Sequence, residues 1–199
     1  RLQPVISSGG PLVVLQPIVA LRDGRRIGSE ALSRFPAEWS MAPDVVFTEA
    51  DAIHARTQLE LLALRGAAAH LHSTSGYVAI NLSPDVLLEP SCAELLRDLT
   101  AERVVVELSE HDPVHDYTEL TNTLAPLRAA GMRLAIDDVG AGYSSLRHIL
   151  MTSPDIVKLD RSIVAGVADD EVLRTLVASL VDFGHRCGAS VVAEGIETA

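Results

Sequence analysis

Short β-branched apolar runs alternate along this chain with longer stretches in which apolar residues return every three or four positions. The runs predict seven strands: Val13–Ile18, Ile27–Leu32, Tyr77–Asn81, Val104–Leu108, Arg133–Asp137, Ile156–Leu159 and Ser190–Glu194. Between them, Thr57–His70 places Leu59, Leu62 and Leu64 among alanines, and Tyr117–Ala130 spaces Leu120, Leu124 and Leu127 by three and four. Glu171–Arg186 carries Leu173, Leu176, Val177 and Leu180 on one side, so these three stretches read as amphipathic helices. Alternation of this kind marks βα units around a parallel sheet. The first two strands meet across Arg22-Asp23-Gly24-Arg25, which is too short for a helical crossover and predicts an antiparallel hairpin.

Composition narrows the class. The 199 residues are 48% hydrophobic and 22% charged, a balance able to bury one substantial core. Lys and Arg number 16 against 27 Asp and Glu, so the formal charge is 16 − 27 = −11, which argues against a polymeric nucleic acid as partner. No run approaches the ~18 consecutive apolar residues of a membrane span, since even Val13 to Leu21 is broken by Gln16 and Pro17. No membrane contact is expected of this domain. Residues 1–11, with Ser7-Ser8-Gly9-Gly10-Pro11, lack a signal-peptide core and read as a linker ahead of a domain at 12–199. Cys92 and Cys187 stand far apart without zinc-site spacing, and are expected as core fillers in a reducing cytoplasm. The seven histidines, His54, His70, His72, His111, His115, His148 and His185, show no ligand pair with a supporting acid and read as surface or loop residues.

Chemistry enters through the strand ends. Asn81, Glu107, Asp137, Asp138, Lys158 and Glu194 each fall at or just past the C-terminal end of a predicted strand, and Glu30 lies near the end of the second. In a barrel of parallel strands those ends share one rim, where such folds place their active sites. Two carboxylates ~4 Å apart repel by about 4 kcal/mol at an effective dielectric of ~20, so a rim of five requires positive charge. Lys158 alone cannot neutralise it. One or two divalent cations can, and all-oxygen ligands suit Mg²⁺ or Mn²⁺.

At this point the chain resembles the EAL-domain phosphodiesterases that hydrolyse cyclic di-GMP. The resemblance rests on Gln16-Pro17-Ile18, Glu30-Ala31-Leu32 with Arg34, Asn81-Leu82-Ser83, Glu107-Leu108-Ser109-Glu110, the segment Asp137-Asp138-Val139-Gly140-Ala141-Gly142-Tyr143-Ser144-Ser145-Leu146, Lys158-Leu159-Asp160 and Ala193-Glu194-Gly195-Ile196-Glu197-Thr198. Each is common alone; seven in family order over nearly the whole chain are specific. The fold it implies is a modified TIM (β/α)8 barrel whose first strand is antiparallel, in agreement with the hairpin. A complete barrel takes about 250 residues, and with seven strand candidates the C-terminal strand and helices are expected to be missing from this chain.

The resemblance implies roles residue by residue. Glu30, Asn81, Glu107 and Asp137 ligate a first metal, and Asp137 bridges to a second held also by Asp138 and Glu194. Lys158 orients a water or stabilises the transition state, and Glu194 takes a proton where it is not purely a ligand. Gln16, Leu32, Arg34 and Asp160 contact substrate, Arg34 sharing a strand face with Glu30 so that its guanidinium can pair a phosphate. Glu110 anchors the glycine-rich loop after the paired aspartates, with Asp160 and Glu197 as further supporting carboxylates. Two Mg²⁺ or Mn²⁺ ions, cyclic di-GMP, a homodimer, an additional sensory or regulatory domain and a cytoplasmic location follow from the same resemblance. Val139 and Ala141 stand where Phe and Thr are more usual, and His54-Ala55 replaces a usual Gly-Leu; these bear on regulation more than on chemistry. Two other functions remain open on the residues: a catalytically inactive EAL-type domain that binds cyclic di-GMP or a protein partner, and a metal-dependent barrel enzyme acting on an unrelated phosphorylated or carboxylated substrate.

Overall fold

The computed structural model describes residues 1–141 and 145–196, Ser145 by its backbone alone. The chain divides into two compact units, Arg1–Val105 and Val106–Ala199. Every expected strand is present, its ends moved by two residues at most.

In the first unit α1 (Leu2–Ser7) precedes the hairpin of β1 (Leu12–Val19) and β2 (Arg26–Arg34), which pair antiparallel with Gln16 opposite Glu30. Helices α2 (Pro43–Ala52) and α3 (Arg56–Ala69) lead to β3 (Tyr77–Asn81), which lies parallel to β2 with Ala79 beside Glu30. Gly76 admits this pairing: its φ is +76°, and a Cβ there would sit 2.2 Å from the Ile27 carbonyl oxygen. The short helices α4 (Pro84–Leu88) and α5 (Pro90–Arg97) follow, each opened by a proline whose missing N–H costs nothing at a helix start.

Residues 1–11, expected as a linker, contain α1 instead. Its Leu2 and Val5 are buried in one cluster with Val46, Ala50 and Leu59, against which Phe35, Trp39 and Phe47 pack. Pro4 lies in the first turn, where the helix has no hydrogen bond to lose, so the proline that reads as a linker signal is compatible with a helix. Trp39 stacks on Phe35 with centroids 5.8 Å apart, filling this core.

β4 (Val104–Ser109) starts on the last two residues of the first unit, and in the second it is followed by α6 (Tyr117–Ala129), β5 (Arg133–Val139), α7 (Ser145–Thr152), β6 (Ile156–Leu159), α8 (Arg161–Val164), α9 (Glu171–Arg186) and β7 (Ser190–Ala193). β6 pairs parallel with β5 on one side and β7 on the other. Ile156, Val157, Lys158 and Leu159 are all buried, which explains why β6 reads as an apolar run rather than an alternation. Aspartates start the helices: Asp116 accepts from the backbone N–H of Thr118 and Glu119, and Asp170 from those of Val172 and Leu173. Each cap is worth about 1 kcal/mol.

Two smaller expectations change. Cys92 is buried, and burial pushes its thiol up to about 12, but Cys187 ends α9 in solvent and fills no core. His148 is buried rather than superficial, because α7 turns it inward, where its Nδ1 lies 2.8 Å from the Tyr117 hydroxyl. Among the described residues no helix is long and apolar enough to cross a membrane.

Candidate active site

Each unit gathers its own share of the strand-end residues. In the first, β2 presents Glu30 half-buried and β3 ends on exposed Asn81, whose Nδ2 donates to Glu30 Oε1 at 3.1 Å. With the nitrogen so committed, Oδ1 is the Asn81 atom left for a cation. Gln16 is exposed on β1 opposite Glu30, Leu32 is half-buried, and exposed Arg34 donates from Nη1 to the Ser33 carbonyl at 3.0 Å.

The second unit is denser. Lys158 is 1% exposed, and its ammonium lies 3.0 Å from Glu107 Oε2, 2.9 Å from Asp137 Oδ2 and 2.8 Å from Glu194 Oε1. A buried ammonium is tolerable only with such partners, and here it has three carboxylates from β4, β5 and the end of β7. Asp137 and Asp138, as neighbours on a strand, should point to opposite faces. A bulge prevents this: Ile136 pairs Val157 and Val139 pairs Leu159, so two aspartates oppose the single Lys158. Asp138 takes the extra residue's kink with φ +59°, a left-handed conformation that aspartate accepts better than most residues. Carboxylate oxygens of Asp137, Asp138 and Glu194 consequently lie within 4.8 Å of one another. That all-oxygen set fits a hard divalent cation.

Electrostatics agree with the crowding. Burial, and then the negative charge of Asp137, push the Asp138 carboxyl above its ordinary range, while Ser109 Oγ opposes them by donating to Asp138 Oδ2 at 3.1 Å. The Asp138 backbone N–H donates to Asp137 Oδ1 at 2.9 Å, turning the neighbouring carboxylate.

The remaining predicted residues occupy other positions. Asp160 caps α8 through the Ser162 N–H at 2.8 Å. Glu110 is buried, and its backbone N–H donates to the Asp137 carbonyl at 3.1 Å. Its expected loop, which begins at Gly140, is described only as far as Ala141; the remainder lies outside the described residues, as does Glu197. Sequence reasoning missed two contributors: Ser109, which steadies Asp138, and Glu60 on α3, whose Oε2 accepts from both the backbone N–H and hydroxyl of Ser83. Glu60 carried a signal, because it falls on the apolar face with Ala63, Leu64 and Ala67.

This fold and constellation define a class. The EAL domain family matches residues 1–199, first helix included, and the chain belongs to that family. Escherichia coli PdeB, described as a probable cyclic di-GMP phosphodiesterase, is 30% identical over 100% of this chain and 40% of its own length. Klebsiella pneumoniae BlrP1, solved with manganese and cyclic di-GMP, is 33% identical with TM-score 0.80 over 94% of this chain and 50% of that one. A complex of BlrP1 with calcium and cyclic di-GMP aligns with TM-score 0.81. An EAL domain protein from Listeria monocytogenes shares the fold at TM-score 0.84 and 22% identity, over 98% of this chain and 82% of that one. The expected α/β barrel type with an antiparallel first strand is thus the fold of the family.

Proposed function

We propose that this chain hydrolyses cyclic di-GMP to linear pGpG with the help of divalent cations. The observation that carries the reading is the set of Glu107, Asp137 and Glu194 around the buried Lys158, beside which a bulge also turns Asp138. A cluster so costly to assemble has a use for its charge. The manganese and calcium complexes of BlrP1 with cyclic di-GMP support the metal and the ligand, since that protein is similar over nearly all of this chain.

In this reading Glu30, Asn81, Glu107 and Asp137 would hold one ion, and Asp137, Asp138 and Glu194 a second, Mg²⁺ or Mn²⁺ in each case. When bound, the ions polarise the phosphodiester and lower the pKa of water. Lys158 keeps a proton at Nζ and neutralises charge that grows on the phosphoryl oxygens. Glu194 accepts the proton of the attacking water, and Arg34 pairs a phosphate. Gln16, Leu32 and Asp160 contact the rest of the ligand, and Glu110 with Glu197 supports the loop after Asp138. A homodimer, a cytoplasmic location and a sensory or regulatory domain elsewhere in the protein belong to the same proposal and rest on the family resemblance.

The test is to incubate the chain with cyclic di-GMP and Mn²⁺ or Mg²⁺ and to follow the linear dinucleotide by chromatography. Product from the wild type, with about 100-fold less from Glu30→Ala, is expected. A folded chain that binds cyclic di-GMP and releases no product contradicts the enzyme and establishes a receptor in its place.

A further inference from the structure

We infer that Glu60 is a positioning residue for metal binding, acting through Ser83 to hold Asn81. The inference rests on the reading of Asn81 as a ligand. Glu60 sits in the second turn of α3 and is 5% exposed. Its Oε2 accepts the Ser83 backbone N–H at 2.8 Å and the Ser83 hydroxyl at 3.0 Å, while Oε1 accepts Arg56 Nε at 2.6 Å.

The position of Ser83 gives these bonds their meaning. It is the residue before α4, where a serine ordinarily turns its hydroxyl back onto the helix that it starts. Here the side chain makes no such cap and is spent on Glu60. The local helix signal is given up, and the loop is tied to α3 instead. Between Ser83 and Asn81 stands only Leu82, itself 3% exposed, so the segment from the end of β3 to α4 is held at one end by Glu60 and in its middle by the core. Asn81 then meets Glu30 at 3.1 Å with its oxygen atom left for the ion.

Carboxylates that orient ligands from behind are a common feature of metal sites, but they normally touch the ligand itself. Glu60 does so at one remove, through the backbone of the same short segment. Burial pushes its carboxyl up, and three donors oppose that push, which is a costly arrangement for a mere helix contact.

The test is a double-mutant cycle read by calorimetric titration of Mn²⁺ into the protein. Glu60→Met should weaken Mn²⁺ binding about 10-fold, and Glu60→Gln, which keeps one acceptor for Ser83, should recover most of it. Asn81→Ala should weaken binding at least as much. In the Asn81→Ala background, Glu60→Met should have no further effect, because the group it positions is gone. Unchanged Mn²⁺ affinity in folded Glu60→Met, or a loss that simply adds to that of Asn81→Ala, overturns the inference. Unchanged affinity in Asn81→Ala overturns the ligand reading beneath it, a different failure in the same data set. Where Glu60→Met does not fold, Ser83→Ala removes only the hydroxyl bond; a smaller weakening that vanishes in Asn81→Ala supports the inference, and none overturns it.

Discussion

The two units handle the carboxylates at their strand ends in opposite ways. In the first, Glu30 is half-buried, meets the amide of exposed Asn81, and keeps its charge within reach of water. In the second, Glu107 and Asp137 are buried with the Lys158 ammonium, and Glu194 closes the group. Hydration carries most of the cost in the first case, whereas mutual pairing must carry it in the second. The first unit can therefore lose Glu30 without harm to folding, and the second cannot lose its lysine. Chemistry and stability are separable in one and joined in the other.

Substitution of Lys158 should break the comparison most sharply. Lys158→Met leaves three carboxylates without their shared cation, and stability should fall by about 3–5 kcal/mol in urea melts without metal. Added Mn²⁺ should restore part of that loss, and turnover should fall about 100- to 1000-fold. A variant as stable as the wild type would show that the cluster is not held by pairing.

Glu30→Ala is the counterpart in the first unit. Turnover of cyclic di-GMP should drop about 100-fold as the reacting groups lose their placement. The thermal midpoint should correspond to a change within about 1 kcal/mol, since the site is only half-buried. A large loss of stability would make the two units alike.

Asp138 sharpens the difference within the second unit. Its left-handed backbone, φ +59°, and its place beside Asp137 are both unfavourable. Asp138→Gly should stabilise the metal-free fold by at most about 1 kcal/mol, the relief of backbone strain and like charge exceeding the entropy that glycine adds to the unfolded chain, while abolishing turnover, checked by denaturant titration and by the product assay. No gain in stability would mean that the bulge is held without strain.

The smallest effect concerns pH. Burial holds the His148 imidazole below its ordinary value of 6.5, so the folded chain binds fewer protons than the unfolded one in that range. The stability this contributes is complete above the ordinary value and is lost as pH falls from there through the lowered one. The loss should be at most about 1 kcal/mol between pH 6.5 and 5.5, and His148→Asn, which keeps an acceptor for the Tyr117 hydroxyl, should remove it. An unaltered pH profile in that variant would place the titration elsewhere.

What could be read beforehand follows from the physics of each element. Buried parallel strands announce themselves as apolar runs, and the hairpin was legible in the shortness of Arg22-Asp23-Gly24-Arg25, so the strands and that first pairing needed no structure. The carboxylates were legible because all but Glu30 stand at or just past the end of an apolar run, and Glu30 lies near one. The bulge was not: Arg133 to Val139 carries no glycine or proline to mark an extra residue, and only pairing with β6 reveals that Asp137 and Asp138 both oppose Lys158. Helix α1 was hidden by Pro4, and the roles of Ser109 and Glu60 depend on partners 29 and 23 residues away, beyond any local pattern.

The most direct measurement is a calorimetric titration of Mn²⁺ into the wild-type chain and into Asp137→Asn, with circular dichroism to show that both are folded. Saturable binding by the wild type, weakened at least about 10-fold in the variant, is the predicted result. Equal binding by both, or none by the folded wild type, would contradict the claim that these carboxylates are assembled to hold a metal.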